Sequence, residues 1–400
     1  MRLYLILACG LGWSGAALAG DLRTGFRDAV ALNAELRGLV AQRSVIEARQ
    51  QGAQTLLPSA PSIIPSWRTT TFTQRTGFQE FELGGELPLW LPGEARALRG
   101  SVEAQNAQLD ARIAQVRLQI AAEVRDAYWL WNTASAERDS AIARVSAARA
   151  LERDLARQVA AGQVPRSDLL LAIADLRDAD AAIRLAYGAT RDAAIAFRAL
   201  TGNDPRTGLP ERAAPPPMGE AALRTLPAAV AARTAQDLAR AEQRLAEVRD
   251  RPNPSLFGGW RRERGETGAP YIDRLLVGVR IPFSYAPQVN ERIATARADA
   301  ILAEATFATV ARTLAGADAR ARAQAQDAAA IAGLADQRHR ALSEQAGLAE
   351  ASYRAGNLPF AEVVRVRAQI AQADALRRRA RVEQGRSASQ INQTLGLEPQ

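Results

Sequence analysis

The sequence predicts a mainly α-helical, internally duplicated chain in which each copy contributes one pair of β-strands. The strands are read from alternation. Between Arg274 and Phe283, Leu275, Val277, Val279, Ile281 and Phe283 fall on one side and Arg274, Gly278 and Arg280 on the other, the period of a strand with one apolar and one polar face. The duplication is read from spacing. Pro61, Ser62 and Trp67 recur as Pro254, Ser255 and Trp260 (254 − 61 = 193), and LGGELPL from Leu83 recurs as VGVRIPF from Val277 (277 − 83 = 194). AGQVPRSDLL from Ala161 returns as AGNLPFAEVV from Ala355 (355 − 161 = 194). A unit of about 190 residues is far longer than a solenoid repeat, so each copy is a substantial structure. The helices are read from a heptad line, Ile293, Ala300, Phe307, Leu314, Ala321, Ala328, Ala335 and Leu342, which calls for packing against neighbouring helices at close approach.

Residues 1–19 read as an export signal: Arg2, an apolar run from Leu3, and Ala17-Leu18-Ala19 as a cleavage site before Gly20. Cys9, the only cysteine, lies within it, so the mature chain is expected to hold neither thiol nor disulfide. ILAC around Cys9 also resembles a lipoprotein signal, but the apolar run before it is short, and cleavage after Ala19 is preferred. No later window has the roughly 18 uninterrupted apolar residues of a membrane helix, so any membrane crossing falls to strands.

The first repeat, 20–210, opens with a helix from Asp21 to about Leu57, with Leu32, Leu36, Leu39 and Val40 as its apolar stripe and Pro58 and Pro61 to end it. A strand pair at about 62–91 follows. In its second strand Phe81, Leu83, Leu87, Leu89 and Leu91 oppose Glu80, Glu82 and Glu86. A soluble sandwich would place that polar face in water, whereas a membrane barrel would place the apolar face in lipid and the carboxylates in the lumen. A long helix at about 93–160 carries Val102, Leu109, Ile113, Val116, Ile120, Val124 and Trp131 at helical spacing. Gly162 and Pro165 then mark a reversal into a return helix at about 165–201. A Pro-rich connector, Asn203 to Glu220, joins the copies. The second repeat, 211–400, follows the same plan: a helix through about Arg251, a strand pair at about 254–284, a long helix at about 288–354, and a return helix at about 359–395 after the Gly356 turn.

All 51 basic residues are Arg, set against 43 acidic residues for a net charge of +8. They alternate with acids along the helices, as in ARADAILAEA, so no basic block marks a nucleic-acid partner. His339, the only histidine, lies in the charged stretch DQRHR and reads as a solvated surface residue. With one histidine and no mature cysteine, no metal site, cofactor or catalytic constellation is expected. Glu80 and Glu82 read as one face of a strand rather than an acid pair for hydrolysis.

Signal, strand pair, very long helix, Gly turn and return helix, all repeated, resemble the TolC-type outer-membrane efflux proteins across essentially the whole mature chain. The most specific marks are GGELPLWLPGEAR, VGVRIPFSYAPQVNER and YRAGNLPFAEVV. The resemblance implies a mainly α fold with a membrane β-barrel. It implies a homotrimer sharing one outer-membrane barrel, with four strands from each chain, and one periplasmic α-helical tunnel girdled by an equatorial belt; the belt is expected to be small, since the sequence stops just after LGLEP. It further implies contact with outer-membrane lipid, a periplasmic adaptor and an inner-membrane pump. The compact chain and short tail are similar to the branch serving heavy-metal cation pumps. By motif, Tyr353, Asp168 and Glu362 occupy positions of the family's periplasmic gate, with Arg365 where many relatives carry another acid, and Gly162 and Gly356 mark the turns expected to contact the adaptor. The same architecture would serve a type I protein-secretion system. A periplasmic coiled-coil adaptor or scaffold would explain the helices and signal but not two strand pairs with apolar faces.

Overall fold

Capping, periodicity and prolines divide the chain into discrete elements. In the computed structural model, which describes residues 21–70, 77–217 and 219–399, they run α1 (Leu22–Leu32), α2 (Ala34–Gly52), β1 (Ser62–Thr69), β2 (Gln79–Pro88), α3 (Glu94–Ala160), α4 (Arg166–Thr201), α5 (Gly219–Leu223), α6 (Pro227–Val248), β3 (Ser255–Arg264), β4 (Ile272–Arg280), α7 (Ala286–Arg354) and α8 (Phe360–Thr394). The expected signal at 1–19, with Cys9, lies outside the described residues.

Asp21 caps α1 by accepting a hydrogen bond from the Thr24 amide at 2.9 Å. The single helix expected as far as Leu57 is instead two, because Asn33 takes an extended conformation (ψ 122°). The break splits the expected stripe: Leu36 and Leu39 are buried, whereas Leu32 and Val40 are largely exposed.

Packing divides the chain into two compact units, and each draws on both halves of the sequence: Met1–Asn33, Arg117–Pro216 and Gly316–Gln400 in one, Ala34–Val116 and Pro217–Ala315 in the other. The duplication is thus a division of sequence, whereas the cores are shared between copies.

The second unit holds one antiparallel sheet in the order β1-β2-β3-β4, with the two hairpins joined through β2 and β3. Register separates its faces. Ile63, Pro65 and Trp67 of β1, Phe81, Leu83 and Leu87 of β2, Leu256 and Trp260 of β3, and Leu275, Val277 and Val279 of β4 share one side. This side is uncovered, with Leu275 at 84% and Val277 at 77% exposure. The opposite side is a lattice of ion pairs: Arg68–Glu80 (3.5 Å), Arg261–Glu82 (3.3 Å), Arg274–Glu263 (2.9 Å) and Arg280–Glu86 (2.9 Å). Ser255 also donates to Glu86. The expected alternation outruns the strands at both helix-bound ends. Ile281 and Phe283 lie beyond β4 yet remain exposed, while Leu91, beyond β2, turns into the core at 7% exposure. There Glu94, 2% exposed at the start of α3, accepts hydrogen bonds from the Leu91 amide, Arg249 and Asn253. That one carboxylate ties together the exit from β2 and the entry to β3.

In the first unit Phe26 of α1, Tyr128 and Trp129 at the middle of α3, and Phe197 near the end of α4 are buried. A side chain at Gly25 would run into the Phe197 ring at 2.6 Å. Trp129 donates its indole N–H to Ser389 of α8 at 2.9 Å. The connector is clasped rather than loose. Arg125, 4% exposed, binds Glu211 (2.8 Å) and the carbonyl of Leu397 (3.0 Å), and Asn392 bonds the backbone at Arg212 and Ala214. Of the heptad line, Ala300, Ala321, Ala328 and Ala335 are buried, whereas Ile293, Phe307, Leu314 and Leu342 are only partly so.

Candidate functional site

The two Gly turns lie in the helical unit and are built alike. At the end of α3 the Gln163 amide bonds the Gln158 carbonyl and the Gly162 amide bonds Val159; at the end of α7 Asn357 bonds Ser352 and Gly356 bonds Tyr353. These paired reversals need a left-handed residue, and Gly162 (φ 69°) and Gly356 (φ 76°) supply it. Pro165 and Pro359, both at φ −65°, then open α4 and α8. Asp168 and Glu362 fall in the first turns of those helices, where the helix dipole favours acids.

A shared core holds the turns together: Leu155, Ala172, Phe360 and Val363, flanked by Val164 and Leu358. Tyr353 packs on Phe360, with ring centroids 5.4 Å apart, and its hydroxyl lies 3.5 Å from an Asp168 oxygen. Burial, and then the Asp168 carboxylate, push the Tyr353 phenol above its ordinary value of 10.0. Arg365 Nε donates to Glu362 at 2.7 Å, an exposed pair on one face of α8. The turns therefore bring Asp168 to Tyr353 and Glu362 to Arg365.

Sequence reasoning missed two features of this region. Phe360, buried under Tyr353, anchors the second turn, and its signal was an aromatic directly after the turn proline. Arg367 pairs with Glu350 across the turn at 2.6 Å, and nothing in the spacing announces that contact. His339 also departs from its expected place. Its side chain is 21% exposed, borders a cavity of about 510 Å³, and lies 3.7 Å from Asp374. Burial pushes the Asp374 carboxyl up, but hydrogen bonds from Arg378 and Arg377 outweigh it and hold the carboxyl below its ordinary value. The histidine thus lies between α7 and α8 beside a carboxylate that Arg377 and Arg378 already engage.

The chain is similar to a known family in sequence and to known proteins in fold. The family described as "Outer membrane efflux protein" matches residues 59–203. No curated protein matches by sequence. Among solved structures the fold is shared with CusC (TM-score 0.79, 16% identity, 99% of this chain and 95% of that one). It is shared also with a membrane protein from Pseudomonas aeruginosa (0.77, 17%, 99% and 97%). A third is the outer membrane protein VceC from Vibrio cholerae (0.75, 15%, 94% and 96%).

Proposed function

On the premise that this chain belongs to the TolC-type outer-membrane efflux proteins, we propose that it is the outer-membrane exit duct of a tripartite efflux system. The observation that carries the reading is the sheet. A sheet in water turns its charges outward; this one engages its carboxylates with arginines on one face and leaves an aliphatic face bare on the other. That is the arrangement of a barrel wall with lipid outside and a polar lumen. The alternating stretch from Leu275 to Phe283 is nine residues long, within the roughly 9–11 residues of a tilted membrane-spanning strand. Aromatic residues flank the band, with Trp67, Phe81 and Trp260 towards the hairpins and Phe283 and Tyr285 towards the helices.

Among the described residues the outer strands β1 and β4 leave open ladders, which hydrocarbon does not tolerate, so further copies must close the wall. Three copies supply twelve strands (3 × 4), an even number within the range of bacterial barrels. The helices then line a periplasmic tunnel, and the paired turns form its narrowed entrance, where an adaptor and an inner-membrane pump engage Gly162 and Gly356. Asp168, Tyr353, Glu362 and Arg365 gate that entrance, with rings of carboxylates drawing cations and Arg365 tempering them. Heavy-metal cations are the cargo favoured, CusC being among the channels that share the fold, carried through without a resident metal or cofactor.

Assembly tests the reading. The detergent-extracted protein is expected to be a trimer by light scattering, and Val279→Asp, which puts a charge on the bare face, is expected to abolish it at a cost below the roughly 2–4 kcal/mol of an arginine or lysine at the midplane. A monodisperse wild-type monomer, or a normal trimer yield from the variant, overturns the barrel. For the gate, Tyr353→Ala with Glu362→Ala is expected to raise single-channel conductance without reducing trimer yield; unchanged conductance and ion selectivity place the constriction elsewhere.

A further inference from the structure

At the hairpin end of the sheet the bare face turns from apolar to cationic. Arg262 stands in register with Phe81 and Asp273, and Arg264, one step nearer the hairpin tips, stands opposite Gln79. Both guanidiniums lie 5.2 Å from the centre of the Tyr271 ring, whose hydroxyl donates to Gln79 at 2.9 Å. Asp273 lies 3.7 Å from Arg262 and already accepts the Trp260 indole N–H at 3.1 Å. Arg264 has no ion pair among the described residues, and its Nε is buried without a hydrogen-bond partner. Two cations gathered on one ring, with one carboxylate between them, repel each other unless an anion joins them.

We propose that Arg262, Arg264 and Tyr271 form a docking site for the phosphate of a membrane-lipid headgroup in the leaflet at the hairpin end. The inference rests on the reading of the bare sheet face as lipid-facing. Guanidinium forks match phosphate oxygens with two parallel hydrogen bonds each, and Tyr271 holds them in place before the ligand arrives. Long arginine stems can lie along apolar surface while their heads reach the interface. The neighbouring side chains choose the source of the phosphate. Trp67 and Phe81 are exposed at the level of Arg262, and Trp260 packs edge-on against Phe81 at 5.6 Å. Acyl chains would cover that stripe, and a soluble phosphate would leave it bare.

The test compares wild type with Arg262→Gln/Arg264→Gln after reconstitution into phosphatidylethanolamine vesicles containing bisphosphorylated lipid A, reading the lipid retained per protein by native mass spectrometry. Wild type is expected to retain about tenfold more than the double variant. Dephosphorylated lipid A should be held weakly by both, and millimolar inorganic phosphate should displace nothing. Equal retention by both proteins, or of phosphorylated and dephosphorylated lipid, overturns the proposal; displacement by inorganic phosphate overturns the lipid assignment in favour of a free anion. If the double variant fails to insert, Arg264→Gln alone, which breaks no ion pair among the described residues, carries the comparison. Failure of wild type to insert as an oligomer would sink the barrel reading, whereas insertion without phosphate-dependent retention sinks only this site.

Discussion

The α3–α4 turn reverses on Gly162 and restarts on Pro165, and the α7–α8 turn does the same on Gly356 and Pro359. Positions 194 apart nevertheless carry unlike side chains: Val159 against Tyr353, Arg166 against Phe360, Leu171 against Arg365. Asp168 and Glu362, in the first turns of the return helices, keep their charge. The residues that set backbone geometry are kept in both turns, while those that set packing and surface chemistry have parted. A duplicated turn has become one anchored, aromatic turn and one plain partner that lends it an acid.

The largest test of this asymmetry is the core. Phe360→Ala removes a ring that is 3% exposed and is expected to cost about 3–5 kcal/mol; the matching Arg166→Ala, on an exposed side chain, should stay within about 0.5 kcal/mol. Thermal or denaturant unfolding reads both, and equal losses would show the turns to be equivalent in packing.

The backbone should answer the opposite way. Gly162→Ala and Gly356→Ala each force a side chain into the left-handed region, at about 1–2 kcal/mol, and a Cβ at either position meets nothing within 4 Å. The two losses should therefore match, and a marked difference would mean that the turns are strained unequally.

Titration sharpens the acid that the first turn lends to the second. Since the folded state raises the Tyr353 phenol above 10.0, the neutral phenol is the form favoured by folding. Its contribution is fully present below the ordinary value and is lost as pH rises through the raised one. Ultraviolet difference titration should find a late-ionising tyrosine that is absent in Tyr353→Phe and ionises earlier in Asp168→Asn. An unchanged titration in Asp168→Asn would separate the two groups.

The smallest stability effect is expected from Arg365→Leu, which makes the second turn resemble the first. An exposed pair three residues apart on a helix is worth about 0.2–0.5 kcal/mol. The same change frees Glu362, so cation selectivity in planar bilayers should rise while melting barely moves; unaltered selectivity would place Arg365 away from the conducting path.

Much of the fold was legible because two periods recur over long stretches. The alternation around Val277 and Val279 marked the bare face, and Gly162 and Gly356 marked the reversals. What escaped depends on partners distant in sequence. Leu91 turns inward because Glu94 needs the Leu91 amide along with Arg249 and Asn253. Asn33 breaks a periodic helix without a proline or glycine at the break. Arg125 finds Glu211 and the Leu397 carbonyl 86 and 272 positions away, separations that no local pattern encodes. In the candidate site, the turn glycines and first-turn acids were visible, whereas the Tyr353–Phe360 contact and the place of His339 required the packed helices.

The ladders of β1 and β4, unpaired on their outer edges among the described residues, also bear on how such a chain matures. A protomer that has formed both hairpins still lacks a neighbour on each outer strand, and Pro65, in β1, has no N–H to offer to any partner. On the proposed barrel reading, completing the wall is an encounter between molecules rather than an event within one. Its rate should climb with the concentration of newly exported chains, and dilution should strand them with exposed strand edges, open to mispairing.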